Sequence, residues 1–124
     1  MVIDTNIFIE HLRAKQKSTT KLVQLLNDGN RLFISSVTVY ELYSGAITPE
    51  KANRVHYLIE DIPVLTFNYD IALKAAQIFR QLKAKNQLIE FRDIFIAATC
   101  INEGLPIVTL NRKHFERIEA LQII

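Results

Sequence analysis

Four polar side chains stand where packing alone does not account for them. Asp4 closes the apolar opening of MVIDTNIFIEH, Glu41 lies inside VTVYELYSGA, Asp93 stands near the start of FRDIFIAATC, and Asn111 follows the apolar run in VTLNRKHF. Three of them have a local explanation. Asp4 is placed to cap a helix, since a carboxylate accepts the free amide protons of a helix start and suits its positive dipole end. Asp93 suits the same role, with Glu90 as an alternative cap, and Asn111 suits a turn or a cap. Glu41 is harder to place locally, because no Lys or Arg lies three or four residues from it. Facing inward, it needs a partner from elsewhere in the fold, since burying an unpaired ion costs several kcal/mol.

Taken together, three carboxylates and an amide point to a cation site. Unit charges about 4 Å apart repel by about 4 kcal/mol at an effective dielectric near 20, so converging acids raise one another's proton affinity or recruit a cation. Oxygen-only ligands suit Mg²⁺ or Mn²⁺ and disfavour zinc, and His11, His56 and His114 share no metal-ligand spacing. Such a site suits phosphodiester hydrolysis: the ion lowers the pKa of a bound water and neutralises charge on the transition state, with a second ion a further stabiliser of the leaving oxygen. No Ser-His-Asp order, P-loop or dinucleotide fingerprint competes. A haloacid-dehalogenase-like phosphatase with Asp4 as covalent nucleophile wants a second aspartate two positions on, where the chain has Asn6.

Short β-branched runs alternating with helix-period segments are what would bring these residues together. MVI at 1–3, LFISS at 32–36, IPVLTF at 62–67 and PIVTL at 106–110 read as strands, with LQII as an added edge. NIFIEHLR, TTKLVQLLND, SSVTVYELYSGA, TPEKANRVHYLIED, NYDIALKAAQIFRQLKAK and FRDIFIAATCINEG read as helices. Ser and Thr48 serve as caps, with Pro49 in the first turn. In the fifth helix Ile71, Ala75, Ile78, Phe79 and Leu82 form one stripe, and the sixth, ended by Gly104, should be the most buried. Parallel strands joined by helices place their carboxyl ends along one sheet edge, outside which ligand sites form.

The chain of 124 residues, 49% hydrophobic and 23% charged, supports one domain over 1–124 with one compact core. The basic stretch RAKQKSTTK at 13–21 is the one segment read as locally mobile. Net charge is +2, too slight to argue nucleic-acid binding by itself, although basic residues gather at Arg13 to Lys21, Arg80 to Lys85 and Arg112 to Arg117. The single cysteine, Cys100, excludes an internal disulfide and reads as a buried packing group. No apolar run has the length to span a bilayer and no signal-type start is present, so a soluble cytoplasmic protein is expected.

The segments IDTNIFIE, SSVTVYELYSGA and FRDIFIAATCINEGLPIVTLNRKHFERI, in this order and spacing, resemble the PIN-domain ribonucleases, specifically the VapC-type toxins of type II toxin-antitoxin systems. The resemblance covers essentially the whole chain. It implies a three-layer α/β/α sandwich with a central, mainly parallel sheet of four or five strands. It also implies a homodimer, Mg²⁺ or Mn²⁺ dependence, endonucleolytic cleavage of RNA and inhibition by a cognate antitoxin. The family's metal-binding acids match Asp4, Glu41 and Asp93, and its fourth polar position, often aspartate, matches Asn111; Thr5 and Thr109 match polar positions beside the acids. Relatives often carry glycine in the turn before the third acid, where Asn86 would substitute through its tolerance of left-handed backbone. Arg92, Arg112, Lys113 and His114 adjoin the ligand positions and are placed to hold RNA phosphates. Exposed apolar patches on the helices near 18–60 are expected for antitoxin contact. The alternative within the same fold is an inactive module that binds RNA or a protein without cutting.

Overall fold

The computed structural model describes residues 1–124. In chain order it contains β1 (Val2–Ile3), α1 (Thr5–Arg13), α2 (Lys21–Asn27), β2 (Ile34–Ser35), α3 (Ser36–Gly45), α4 (Pro49–Ile59), β3 (Val64–Leu65), α5 (Tyr69–Ala84), α6 (Phe91–Glu103), β4 (Ile107–Val108) and α7 (Arg112–Phe115). β1 pairs in parallel with β4 and β2 with β3. A parallel bridge from Val2 to Phe33 joins the two pairs, and another from Ile107 to Ile123 adds the C-terminal segment at the edge. The spatial order is therefore β3, β2, β1, β4 and the C-terminal bridge, all parallel.

Each strand is only two residues long, shorter than the apolar runs suggest. The reason lies in the caps. Asp4 directly follows β1 and caps α1, while Ser35 ends β2 and caps α3 by accepting from the Thr38 amide. A residue with extended backbone that caps a helix ends the strand it belongs to.

Successive strand residues face opposite sides of the sheet, and the core divides accordingly. Val2 and Ile107 pack into one cluster with Ile71, Ala75, Ile78 and Leu82 of α5 and the apolar side chains of α6. Their neighbours Ile3 and Val108 pack into the other, with Ile7 and Phe8 of α1, Leu22 and Leu25 of α2, Leu42 of α3 and Val55 of α4. These two cores make the α/β/α sandwich. α6 runs between buried Ile94 and Cys100, as its composition demands, and stops at Gly104, whose φ of +66° only glycine adopts at no steric cost. Burial pushes the Cys100 thiol up to about 12, which leaves it a packing group.

Three expectations change, the first being the single core, which the sheet divides into the two clusters above. Phe79 departs from the α5 stripe: Ile71, Ala75, Ile78 and Leu82 are buried, whereas Phe79 is exposed at the stripe's edge with Lys83 Nζ 5.8 Å from its ring centre. The basic stretch at 13–21 is not a loose loop. It contains a single 3₁₀ turn, Lys17–Thr19, and Lys17 Nζ donates to the carbonyls of His11, Leu12 and Ala14, closing the C-terminus of α1. A cation there complements the negative end of the helix. Asn86, by contrast, adopts the left-handed backbone its type allows, at φ 53°. No helix is long and apolar enough to cross a membrane.

Candidate active site

Asp4 leaves β1 at its carboxyl end, and its amide donates to the Val108 carbonyl at 3.0 Å, which fixes it beside the end of β4. Its carboxylate is held from two directions: Oδ1 accepts from the Thr5 amide at 2.8 Å and Oδ2 from the Thr109 hydroxyl at 2.7 Å. Thr109 Oγ1 in turn accepts from the Asn111 amide at 2.9 Å. Asp4 is only 2% exposed. Burial pushes its pKa up from 3.8 to about 6, partly opposed by the Thr109 donor and reinforced by the negative charges of Asp93 and Glu41.

Glu41 reaches the same site from α3, where a run of hydroxyls leads to it. Thr5 Oγ1 donates to Glu41 Oε1 at 2.8 Å and lies 2.9 Å from Thr38 Oγ1, while Ser35 Oγ donates to Thr38 Oγ1 at 3.2 Å. Each hydroxyl has one proton. With Thr5 committed to Glu41, Thr38 must donate to Thr5, so the order Ser35, Thr38, Thr5, Glu41 runs in one direction and ends on the carboxylate. The partner that the sequence around Glu41 lacks comes from α6: Arg92 lies 3.4 Å from Oε2, while also pairing with Glu90 at 2.7 Å. Glu90 occupies the N-cap position of α6 without making a side-chain cap.

Asp93 stands in the first turn of α6, and burial raises its proton affinity, partly offset by His114, whose Nδ1 is 3.3 Å from Oδ2. The Asn111 side-chain amide lies 2.8 Å from the same Nδ1. The amide atom nearest the ring is its nitrogen, Nδ2, so Nδ1 is either its acceptor or a donor to Asp93, according to the tautomer.

The structure thus gathers Asp4, Thr5, Glu41, Asp93, Thr109 and Asn111 at the carboxyl edge of the sheet. His114 joins them as a partner of Asp93 and Asn111. Arg92 faces Glu41 and Glu90. Arg112 turns away from the acids, donating to the Ile124 carbonyl at 3.1 Å and lying 3.6 Å from Glu116, and Lys113 is exposed. Thr38, which is buried and links Ser35 to Thr5, was not singled out by sequence; its one signal was its place a helical turn before Glu41. Asn6, where phosphatase chemistry wants an aspartate, is exposed on α1.

The donor chemistry fits a hard cation: the site offers carboxylate, hydroxyl and amide oxygens, and its most buried carboxylate has its pKa raised first by burial and then by the charges of the two others. No three His, Cys, Asp or Glu side chains stand together at ligand distance in this arrangement, since Glu41 faces Arg92 and Asp93 faces His114. One or two carboxylates with waters suffice for Mg²⁺.

Thr109→Val removes both a donor to Asp4 and an acceptor for the Asn111 amide. It is expected to destabilise the fold by about 1–3 kcal/mol in urea unfolding. A carbonyl NMR titration of the metal-free variant should place Asp4 still higher than about 6.

The PIN domain family model matches residues 1–121. Ribonuclease VapC2 of Haemophilus influenzae is 34% identical over 98% of this chain and 93% of that protein. Among solved structures, VapBC-1 from nontypeable Haemophilus influenzae superposes with a TM-score of 0.83 at 29% identity, covering 99% of this chain and 95% of that one. VapBC2 from Rickettsia felis, bound to a DNA fragment from its promoter, gives a TM-score of 0.83 at 24% identity over 99% and 96% of the two chains.

Proposed function

The chain belongs to the PIN domain family, and from that premise we propose that it is an endoribonuclease of the VapC type, the toxin of a toxin-antitoxin pair held in check by a cognate antitoxin. We further propose that it works as one domain over residues 1–124, in the cytoplasm, as a homodimer, with Mg²⁺ or Mn²⁺ as cofactor. The observation that carries the catalytic part is the buried Asp4 carboxylate, held at an elevated pKa beside Asp93 and Glu41. In a binding module without a cation this arrangement only destabilises the fold.

In this reading Asp4 and Asp93 hold the ion, and Glu41 and Asn111 complete the set. The bound ion supplies a water of lowered pKa and charge neutralisation at the phosphate. The protein does the positioning. Thr109 and the Thr5 amide fix both Asp4 oxygens, so the carboxylate offers its remaining lone pairs in one orientation. The hydroxyls of Ser35, Thr38 and Thr5 orient Glu41. His114 fixes Asp93 from the far side and leaves the other Asp93 oxygen open. Arg92, exposed and next to Glu41, exchanges that carboxylate for a phosphate oxygen of RNA when substrate arrives, which frees Glu41.

Support for the partners comes from exposed apolar side chains. Leu26, Tyr43, Ile47 and Tyr57 stand in solvent between α2 and α4 and suit an antitoxin segment. Tyr40 and Phe91, exposed around a cavity of about 500 Å³ with Val37 and Phe95, suit a second copy.

The test is cleavage of total RNA by purified protein with Mn²⁺, alone and with EDTA, beside the Asp93→Asn variant. Cleavage should require the ion, and the variant should lose at least about 100-fold in rate, about 3 kcal/mol. Calorimetry should show weakened Mn²⁺ binding by the variant. Hydrolysis by the wild type that persists in EDTA and in Asp93→Asn would sink the metal-dependent reading.

A further inference from the structure

Beside the acids, between α1, α3 and α4, lies a cavity of about 270 Å³ whose lining, Glu41 apart, has no part in the chemistry described above. Its floor is apolar, formed by Leu42 and Val55 together with Leu12, and its rim carries Arg13, Lys51 and Arg54. Glu41, whose carboxylate belongs to the acid cluster, also lines it. We infer that this cavity is a subsite for one unpaired nucleotide of the RNA, next to the phosphate that is cut, with the base on the apolar floor and the flanking phosphates on Arg13, Lys51 and Arg54.

Three observations point to a nucleotide. First, the rim cations are uncompensated: the ion pairs of the fold join His56 to Glu60, Arg92 to Glu41 and Glu90, Arg112 to Glu116 and His114 to Asp93, and none involves Arg13, Lys51 or Arg54. Three cations against the single carboxylate of Glu41 leave the opening locally positive, and a nucleic acid brings one negative charge per residue. Second, the volume lies near the lower end of ligand pockets, roughly 300 Å³. That admits a single nucleoside. Third, Glu41 is shared, so an occupant must sit directly beside the site of cleavage. Single-stranded RNA is read through splayed bases stacked on aromatic rings or guanidinium planes, and here Arg13 and Arg54 are the lining groups that offer such a plane. A net charge of only +2 conceals this local concentration of positive charge.

The inference rests on the ribonuclease reading but is tested apart from it by binding. In the Asp93→Asn background, affinity for a short mixed-sequence single-stranded RNA is measured by fluorescence anisotropy across roughly 50–200 mM salt. The same is done with Arg13→Ala, Lys51→Ala and Arg54→Ala combined. All three residues are exposed on the surface, so the fold should hold, and circular dichroism checks it. Affinity should fall at least tenfold, and the salt slope should shrink by about 2, at about 0.7 per lost phosphate contact on a single strand. With Asp93 restored, the triple variant should raise KM more than it lowers kcat. Sequencing of 5′ ends should then show a weakened nucleotide preference on one side of the cut. Unchanged affinity, slope and cleavage pattern would overturn the inference, and so would an effect confined to antitoxin binding, which would assign the cavity to the partner protein. Failure of the ribonuclease reading has a different signature, absent cleavage and absent Mn²⁺ binding in the wild type, under which RNA binding through the rim cations still decides the subsite.

Discussion

Asp4→Asn should make the metal-free protein more stable near neutral pH while removing its nuclease activity. The sign follows from the raised pKa. A carboxyl group at about 6 in the folded chain, against 3.8 without the fold, favours its protonated form when folded. Its ionisation therefore imposes no penalty below the unfolded value, a growing one between the two, and a constant one above about 6. A shift of about two pKa units corresponds to about 3 kcal/mol. The amide keeps an acceptor for the Thr5 N–H but opposes its own N–H groups to the Thr109 hydroxyl, returning about 1 kcal/mol. A net gain of about 1–2 kcal/mol should remain in EDTA near pH 7, vanishing as the pH approaches 4. Asp93, also raised by burial, and His11, lowered by burial, contribute slopes of their own, so the readout is the difference between wild type and variant. Mn²⁺ should then raise the wild-type Tm and leave the variant's unchanged, and RNA cleavage should drop at least about 1000-fold, about 4 kcal/mol. A variant less stable than the wild type in EDTA at neutral pH would refute the electrostatic account of Asp4.

That strain at Asp4 was legible in the sequence only as company. Asp4 alone reads as a cap, and it does cap α1. The second role proposed for it rests on Glu41, Asp93 and Asn111 recurring where an alternating β/α chain converges, and hydrophobic alternation is enough to predict that convergence. Four helix starts were equally legible, whereas the caps expected of Asp93 or Glu90 at α6 and of Asn111 at α7 make no side-chain hydrogen bond. Thr20, Ser35, Thr48 and Asn68 each accept from the amide three residues on, so their side-chain chemistry is local and visible in sequence. Contacts between elements were not. Arg92 and Glu41 come together only because α6 packs near α3, and the link from Thr5 to Thr38 spans 33 residues of chain. Strand lengths also escaped, since an apolar run shows where a strand lies but not how soon a cap ends it. Phe79 shows the same limit on a helix: spacing places it beside the buried stripe, and only the packed neighbours decide that it stays outside.

The short helix α7 was the element least visible in advance, and the largest stability effect is expected there. Arg112–Phe115 is a single turn, too short to show a period and far too short to form unaided. Phe115 holds it in place, fully buried in the core cluster that also contains Ile118 and Leu121. Phe115→Ala should cost about 3–5 kcal/mol, a large share of the roughly 5–15 kcal/mol that stabilises a domain. Its cost should also be local. Asn111 and His114 sit on this turn, and both the contact between them and that of His114 with Asp93 depend on its position. Ile78→Ala in the middle of α5 removes a side chain from the same cluster and should destabilise by about 2–5 kcal/mol, without touching that turn. Urea unfolding gives the folded fraction of each variant, and cleavage rates are divided by it. The Ile78 variant should then match the wild type within about twofold, while the Phe115 variant falls at least about tenfold, about 1.4 kcal/mol of lost positioning. Equal corrected rates for the two variants would mean that Asn111 and His114 contribute nothing through α7. A selective loss in Phe115→Ala would instead make a core aromatic part of how the acids are held.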